Sequence, residues 1–213
     1  MNAPAAPPST RRSRLAPVDH GPRHAHRVAL TFDDGPGQLT EQLLDVLGSH
    51  GARATFFALG ERVAGREHML RRIASEGHEV ASHARRHQRL ARRPAVALRD
   101  LALTSWALAR ATGRSPRLFR APYGSVSPGV VAAARLVGMT TVGWDVDPRD
   151  YETPGATAIY ERIMACTRPG SIILLHDDRR ALQQTVTAVA RVIPVLRSQV
   201  YELVTVSELL DTP

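Results

Sequence analysis

From residue 28 onward, short apolar runs alternate with longer amphipathic ones. Residues 28–32, 54–59, 79–82, 117–120, 140–144, 171–175 and 201–205 read as strands. Between them, residues 38–50, 63–76, 94–112, 128–136, 156–166 and 181–198 read as helices. Gly51, Gly77, Gly113 and Gly138 each follow a helical run, where a terminating glycine belongs. Pro94 and Pro128 sit near helix starts. Pro194, inside the last helical run, predicts a kink or an early stop. Strands alternating with helices imply parallel βαβ units, hence an α/β fold. Seven strands suit a closed or nearly closed barrel of fewer than eight strands, or an open doubly wound sheet. Either arrangement gathers functional groups at the C-terminal ends of the strands.

Polar chemistry falls at those ends. Thr31-Phe32-Asp33-Asp34-Gly35-Pro36 reads as a strand ending at a turn with two adjacent carboxylates at its tip. Such a pair repels itself unless a cation or a proton intervenes. Asp-Asp-Gly is also ordinary turn chemistry, so the hexapeptide does not decide the matter by itself. The third strand runs into Ser82-His83-Ala84-Arg85-Arg86-His87, the fourth into Arg120-Ala121-Pro122-Tyr123-Gly124. Trp144, Asp145, Asp147, Asp150 and Tyr151 follow the fifth, and His176-Asp177-Asp178 the sixth. His83 and His87, four residues apart, share one face of a helical turn. With one carboxylate they make a two-histidine set that leaves positions open on Zn²⁺ or a similar divalent ion. His176 closes an apolar strand, and an imidazole there suits proton transfer near neutrality.

Composition bounds the rest. At 213 residues the chain fits one domain, and 43% hydrophobic residues supply a core in which aliphatics and Ala replace scarce aromatics. All 28 basic residues are Arg and the formal charge is +8, which permits an anionic partner. A single cysteine, Cys166, excludes an intrachain disulfide and a thiolate zinc cage. No segment has the ~18 apolar residues of a membrane span. Residues 1–26 are rich in Pro, Ala and Arg without an apolar stretch, so they read as a disordered leader and not as a secretory signal. Residues 27–213 are then the catalytic domain, in a cytoplasmic protein unless an export signal has been removed.

These blocks, in this order, resemble the polysaccharide deacetylases, the NodB-homology domain of carbohydrate esterase family 4. Residues 31–36, 83–87, 120–124, 147–151 and 174–176 match the five motifs, and the likeness spans about residues 27–210. The resemblance implies a distorted (β/α)7 barrel and a metal-dependent N-deacetylase. It implies Asp34, His83 and His87 as ligands of a divalent metal, for which two imidazoles and a carboxylate suit Zn²⁺. It makes Asp33 the base that activates the attacking water, with Arg120 to tether it and hold its pKa down. The Tyr123 N–H would stabilise the oxyanion. His176 would protonate the leaving amine, oriented by Asp150. Leu174 and Tyr151 would wall the pocket for the acetyl methyl, and Pro122 joins Tyr123 in the substrate-binding set. Two positions depart from the family pattern. Ala84 stands where Ser or Thr is usual, with Ser82 in a position to compensate, and Tyr151 stands where Trp is usual.

The substrate expected is an N-acetylated carbohydrate or related small molecule. The same residues serve another amide, a cyclic imide or an acetate ester, because loops set specificity. A basic module for anionic polymers is the reading from another class. Residues 11–14 and 85–93 motivate it, but no nucleic-acid recognition motif supports it. Oligomeric state is not legible.

Overall fold

Seven parallel strands form one sheet: β1 (Arg27–Asp33), β2 (Ala54–Ala58), β3 (Glu79–Ser82), β4 (Leu118–Phe119), β5 (Thr140–Thr141), β6 (Ile172–His176) and β7 (Glu202–Leu203). The structure is a computed structural model and describes residues 15–178 and 183–212. The strand order is β5-β4-β3-β2-β1-β6, and β7 pairs with the first residues of β1. Helices α1 (Thr40–Ser49), α2 (Glu67–Ser75), α3 (Pro94–Thr112), α4 (Pro128–Leu136), α5 (Ala156–Cys166) and α6 (Gln183–Ser198) alternate with the strands, and α7 (Val206–Leu210) closes the chain.

The period-2 alternation of β1 explains its central place. Val28, Leu30 and Phe32 pack outward with Leu43 and Leu47 of α1 and Val189 and Ile193 of α6. Ala29 belongs to a separate inner cluster with Phe57, Ala81, Leu118 and Ile172. Strands buried on both faces are what a parallel sheet requires.

The sheet curls into a half-barrel, as expected, and does not spread as the open doubly wound alternative. Its two edges are stitched by single bridges. Val146, beyond β5, pairs with Ile173 of β6 and accepts from the Leu174 N–H at 2.9 Å. Val18 pairs with Val142, and His20 with Ser171. This corrects part of the expected leader. Residues 1–14 lie outside the described residues, but residues 17–21 dock in the seam, because unpaired edges at β5 and β6 leave backbone groups that this segment satisfies.

Three other expectations shift. Helix α6 runs through Pro194 to Ser198 without stopping, since Pro194 faces solvent while Val192, Ile193 and Leu196 anchor the helix to the core. The start expected for that helix at residue 181 lies outside the described residues. Helix α2 begins at Glu67, not residue 63, because a 3₁₀ turn (Gly60–Arg62) and a left-handed Gly65 (φ 80°) precede it. The last strand is only two residues long, and α7 follows it. Thr205 and Glu208 form a reciprocal capping box there, a Thr-x-x-Glu signal present in the sequence.

The β1–α1 loop passes tightly over the end of β6. A Cβ on Gly37 would lie 2.3 Å from Asp178 Cα and 2.4 Å from the Asp177 carbonyl oxygen, both backbone atoms. We expect Gly37→Ala to destabilise the protein by about 2 kcal/mol in denaturant unfolding. A loss below about 0.5 kcal/mol would mean that the loop yields freely.

Candidate active site and metal centre

The strand registers assemble the site. Asp33 at the end of β1 is the register partner of His176 at the end of β6. Parallel register partners project to the same face, so both side chains enter one cavity. Ser82 of β3 pairs with Phe119 of β4, which brings His83 beside Arg120. The cavity measures about 620 Å³, and Asp33, Asp34, His83, His87, Tyr123 and His176 line it.

Arg120 is fully buried behind Asp33. Its Nη1 donates to Asp33 Oδ1 at 2.8 Å and to Thr31 Oγ1 at 2.7 Å, and its Nη2 donates to the Gly143 carbonyl at 2.8 Å. The guanidinium lies 4.1 Å over the Phe57 ring. This is the tether expected for Asp33, with one correction. Burial raises the Asp33 pKa above the ordinary carboxylate range, and outweighs the downward pull of Arg120 and His176.

Asp34, His83 and His87 each offer one donor atom, and the three atoms lie within 4.8 Å of one another. Nε2 of both histidines is 3.4 Å from Asp34 Oδ1, a buried oxygen with no hydrogen-bond partner. His83 Nδ1 donates to the Arg120 carbonyl at 2.9 Å, so its Nε2 carries the lone pair. Burial pushes the His83 pKa down to about 3, against the pull of Asp34, and keeps the ring neutral. A lone pair and a carboxylate oxygen facing each other in a buried spot repel unless a cation lies between them. The donor set therefore fits a divalent metal, and its two imidazoles and one carboxylate suit zinc.

On the other side of the cavity, His176 Nδ1 donates to Asp150 Oδ1 at 2.8 Å, and the His176 backbone N–H donates to Asp150 Oδ2 at 3.0 Å. Burial depresses the His176 pKa, but the Asp150 hydrogen bond and charge, with Asp33 and Asp34, carry it up to about 9. Asp150 is buried behind His176, where the Thr185 hydroxyl on α6 also donates to its Oδ2 at 2.9 Å.

The remaining expected residues divide. Leu174 and Tyr151 line the cavity, and the Tyr151 ring meets His176 edge-on at 5.5 Å. Tyr123 sits at φ 59° in the 3₁₀ turn Pro122–Gly124 and packs edge-on against His87 at 4.2 Å. Pro122 does not reach the cavity. It is buried as the first residue of that turn and acts on the site only through the shape it gives Tyr123. Asp145 also turns away, because it accepts from Arg23, Ser171 and the Ile172 N–H in the seam. Ser82 Oγ accepts from the Ala84 N–H at 3.3 Å, the compensation anticipated for the missing hydroxyl at Ala84.

Three supporting residues escaped the sequence reading. Thr31 lies in the first motif, but its hydroxyl links to Arg120 only across strands. Thr185 carried no signal inside a helical run. Asp177, next to His176, is buried and accepts from the Thr40 hydroxyl, and burial raises its pKa to about 7. A Cβ on Gly35 would lie 2.4 Å from its carboxylate oxygens, so Asp177 packs against the loop that carries Asp34.

We expect His83→Ala and Asp34→Asn to weaken zinc binding in a chelator competition by more than the roughly 10–100-fold of an outer-shell change. Unchanged zinc affinity in both variants would refute the donor set. A second expectation concerns pH. His176 is raised in the folded protein, so its stabilising contribution is complete below its ordinary value of 6.5 and is lost as pH rises through about 9. In the metal-free protein, Asp150→Asn should move the His176 titration, followed by ring NMR, down by more than one pH unit. It should also flatten that loss of stability. A His176 titration unmoved by the substitution would assign the shift to another group.

Comparison with known proteins agrees with this geometry. A sequence model of the polysaccharide deacetylase family matches residues 20–142. A chitooligosaccharide deacetylase of a Bradyrhizobium species is 40% identical over 190 residues, covering 83% of this chain and 87% of its own. A peptidoglycan-N-acetylglucosamine deacetylase of Bacillus cereus is 36% identical over 192 residues, covering 89% of this chain and 90% of its own. The crystal structure of the Bc1960 peptidoglycan N-acetylglucosamine deacetylase superposes with a TM-score of 0.87 at 32% identity, covering 92% of this chain and 93% of that one. The chain thus belongs to the polysaccharide deacetylase family, carbohydrate esterase family 4, and is a hydrolase of that family.

Proposed function

We propose that this enzyme removes the acetyl group from N-acetylated sugars or oligosaccharides in a metal-dependent hydrolysis. The observation that carries the reading is the pairing of Asp33 and His176 across one cavity, beside the Asp34, His83 and His87 donor set. Its relatives are named as chitooligosaccharide and peptidoglycan deacetylases, which supports a sugar acetamide as substrate.

Amide hydrolysis needs a strong nucleophile, a stabilised oxyanion and a protonated leaving amine. What a divalent cation supplies in that donor set is Lewis acidity, which draws the pKa of water towards ~7 and polarises an amide carbonyl. Asp33, held at Oδ1 by Arg120, offers Oδ2 to the proton of the attacking water. A carboxyl raised by burial is a better base than an ordinary one. His176, with Nδ1 engaged by Asp150, gives its Nε2 proton to the departing nitrogen, so the sugar leaves as an amine and the acyl group as acetate. The Tyr123 N–H serves as donor to the oxyanion. Leu174 and Tyr151 exclude water around the acetyl methyl.

The test is acetate release by the zinc-loaded protein from chitooligosaccharides, monomeric N-acetylhexosamines, acetate esters and cyclic imides, with a chelator control. We expect chelator-sensitive release from the N-acetyl sugars, and Asp33→Asn should lower kcat by about 10²–10⁴-fold. Turnover confined to esters or imides would overturn the sugar amide as substrate. Near-normal turnover by Asp33→Asn would overturn the base.

A further inference from the structure

Among the described residues, the cavity rim carries two arginines, Arg62 and Arg89, and only one of them faces a carboxylate. Arg62 Nη2 faces Asp178 Oδ2 at 3.6 Å, and Arg86 Nε faces Glu61 Oε2 at 3.7 Å. Asp147 accepts from the Arg149 N–H and from the Tyr151 hydroxyl. Arg89 also lines the cavity, yet among the described residues no carboxylate lies at ion-pair distance from it. Its guanidinium instead lies 4.6 Å over the ring of Tyr123, the residue that packs on His87 at 4.2 Å.

We propose that Arg89 is an anion subsite, and that the preferred substrate is an N-acetylated sugar or oligosaccharide carrying a carboxylate or phosphate. This rests on the deacetylase reading and narrows its substrate class. A guanidinium resting over an aromatic ring keeps its edge N–H donors free for a bidentate acceptor. The contact with Tyr123 also restricts the arginine side chain in advance, which lowers the ordering cost of binding. The cation and the His87 imidazole both contact the Tyr123 ring, so an anion held there lies on the reacting unit or its neighbour. The net charge of +8 favours approach of such a substrate.

The test is equilibrium binding of three matched ligands to the zinc-loaded protein. They are neutral diacetylchitobiose, the same disaccharide oxidised to a carboxylate at C6 of one unit, and the same disaccharide phosphorylated there. We expect the better anionic ligand to bind about tenfold tighter than the neutral one at low salt, in line with one charge-assisted contact. That ratio should shrink as salt is raised. It should fall to near one in Arg89→Gln, survive in part in Arg89→Lys, and persist in Arg135→Gln, which removes one exposed charge of α4 outside the cavity. The anion with the larger ratio identifies the group recognised. A wild-type ratio of one, absence of binding by all three ligands, or a ratio that survives Arg89→Gln would overturn the subsite. Equal loss in Arg135→Gln would overturn it in favour of long-range charge. Acetate release followed in the same samples reports separately on the deacetylase reading, because the binding ratio is read whether or not acetate appears.

Discussion

The buried guanidinium of Arg120 is the interaction on which the site depends. One residue acts through two groups. Its side chain joins Thr31 and Asp33 on β1 to the Gly143 carbonyl beyond β5, while its own carbonyl accepts from His83 Nδ1. The orientation of Asp33, the proposed base, and the tautomer of His83, a proposed metal ligand, are thus set by the same residue. Removing one partner of such a buried pair leaves an uncompensated charge, at a cost of about 3–5 kcal/mol. Curling of the sheet makes this possible, because it brings the ends of β1, β4 and β5 within reach of one side chain.

The same burial separates the protonation states of the titratable groups. His83 is driven to about 3 and stays a neutral donor, whereas His176 is carried to about 9 by Asp150 and stays charged. Two imidazoles with opposite roles occupy one cavity because one faces a backbone carbonyl and the other a buried carboxylate.

Backbone strain gathers at the same place. Asp34 (φ 74°), Ala84 (φ 64°) and Tyr123 (φ 59°) are non-glycine residues in the left-handed region, each costing about 1 kcal/mol or more. Each adjoins a sharp turn at a strand end. The surrounding packing over-determines these turns: Asp177 presses on the Asp34 loop, Ser82 ties the Ala84 N–H, and Pro122 fixes the entry to Tyr123.

Much of the molecule was legible in local chemistry. Apolar periodicity, helix-ending glycines and helix-starting prolines gave the order of strands and helices, with α3, α4 and α5 at the expected bounds. Five polar blocks at strand ends pointed to one catalytic rim, and Asp33, Asp34, His83, His87 and His176 do meet there. Such features depend on neighbours a few residues away, which a sequence records directly. Other features belong to contacts between residues far apart in the chain. Docking of residues 17–21 in the seam, continuation of α6 through Pro194 and the turning away of Asp145 are of this kind. So are the support of Asp150 by Thr185 and, among the described residues, the lack of a carboxylate at ion-pair distance from Arg89 at the cavity rim. The Asp33 pKa makes the distinction plainest. The sequence placed an arginine within reach and implied a lowered value, but the depth of burial, which only the closed packing determines, reversed the sign.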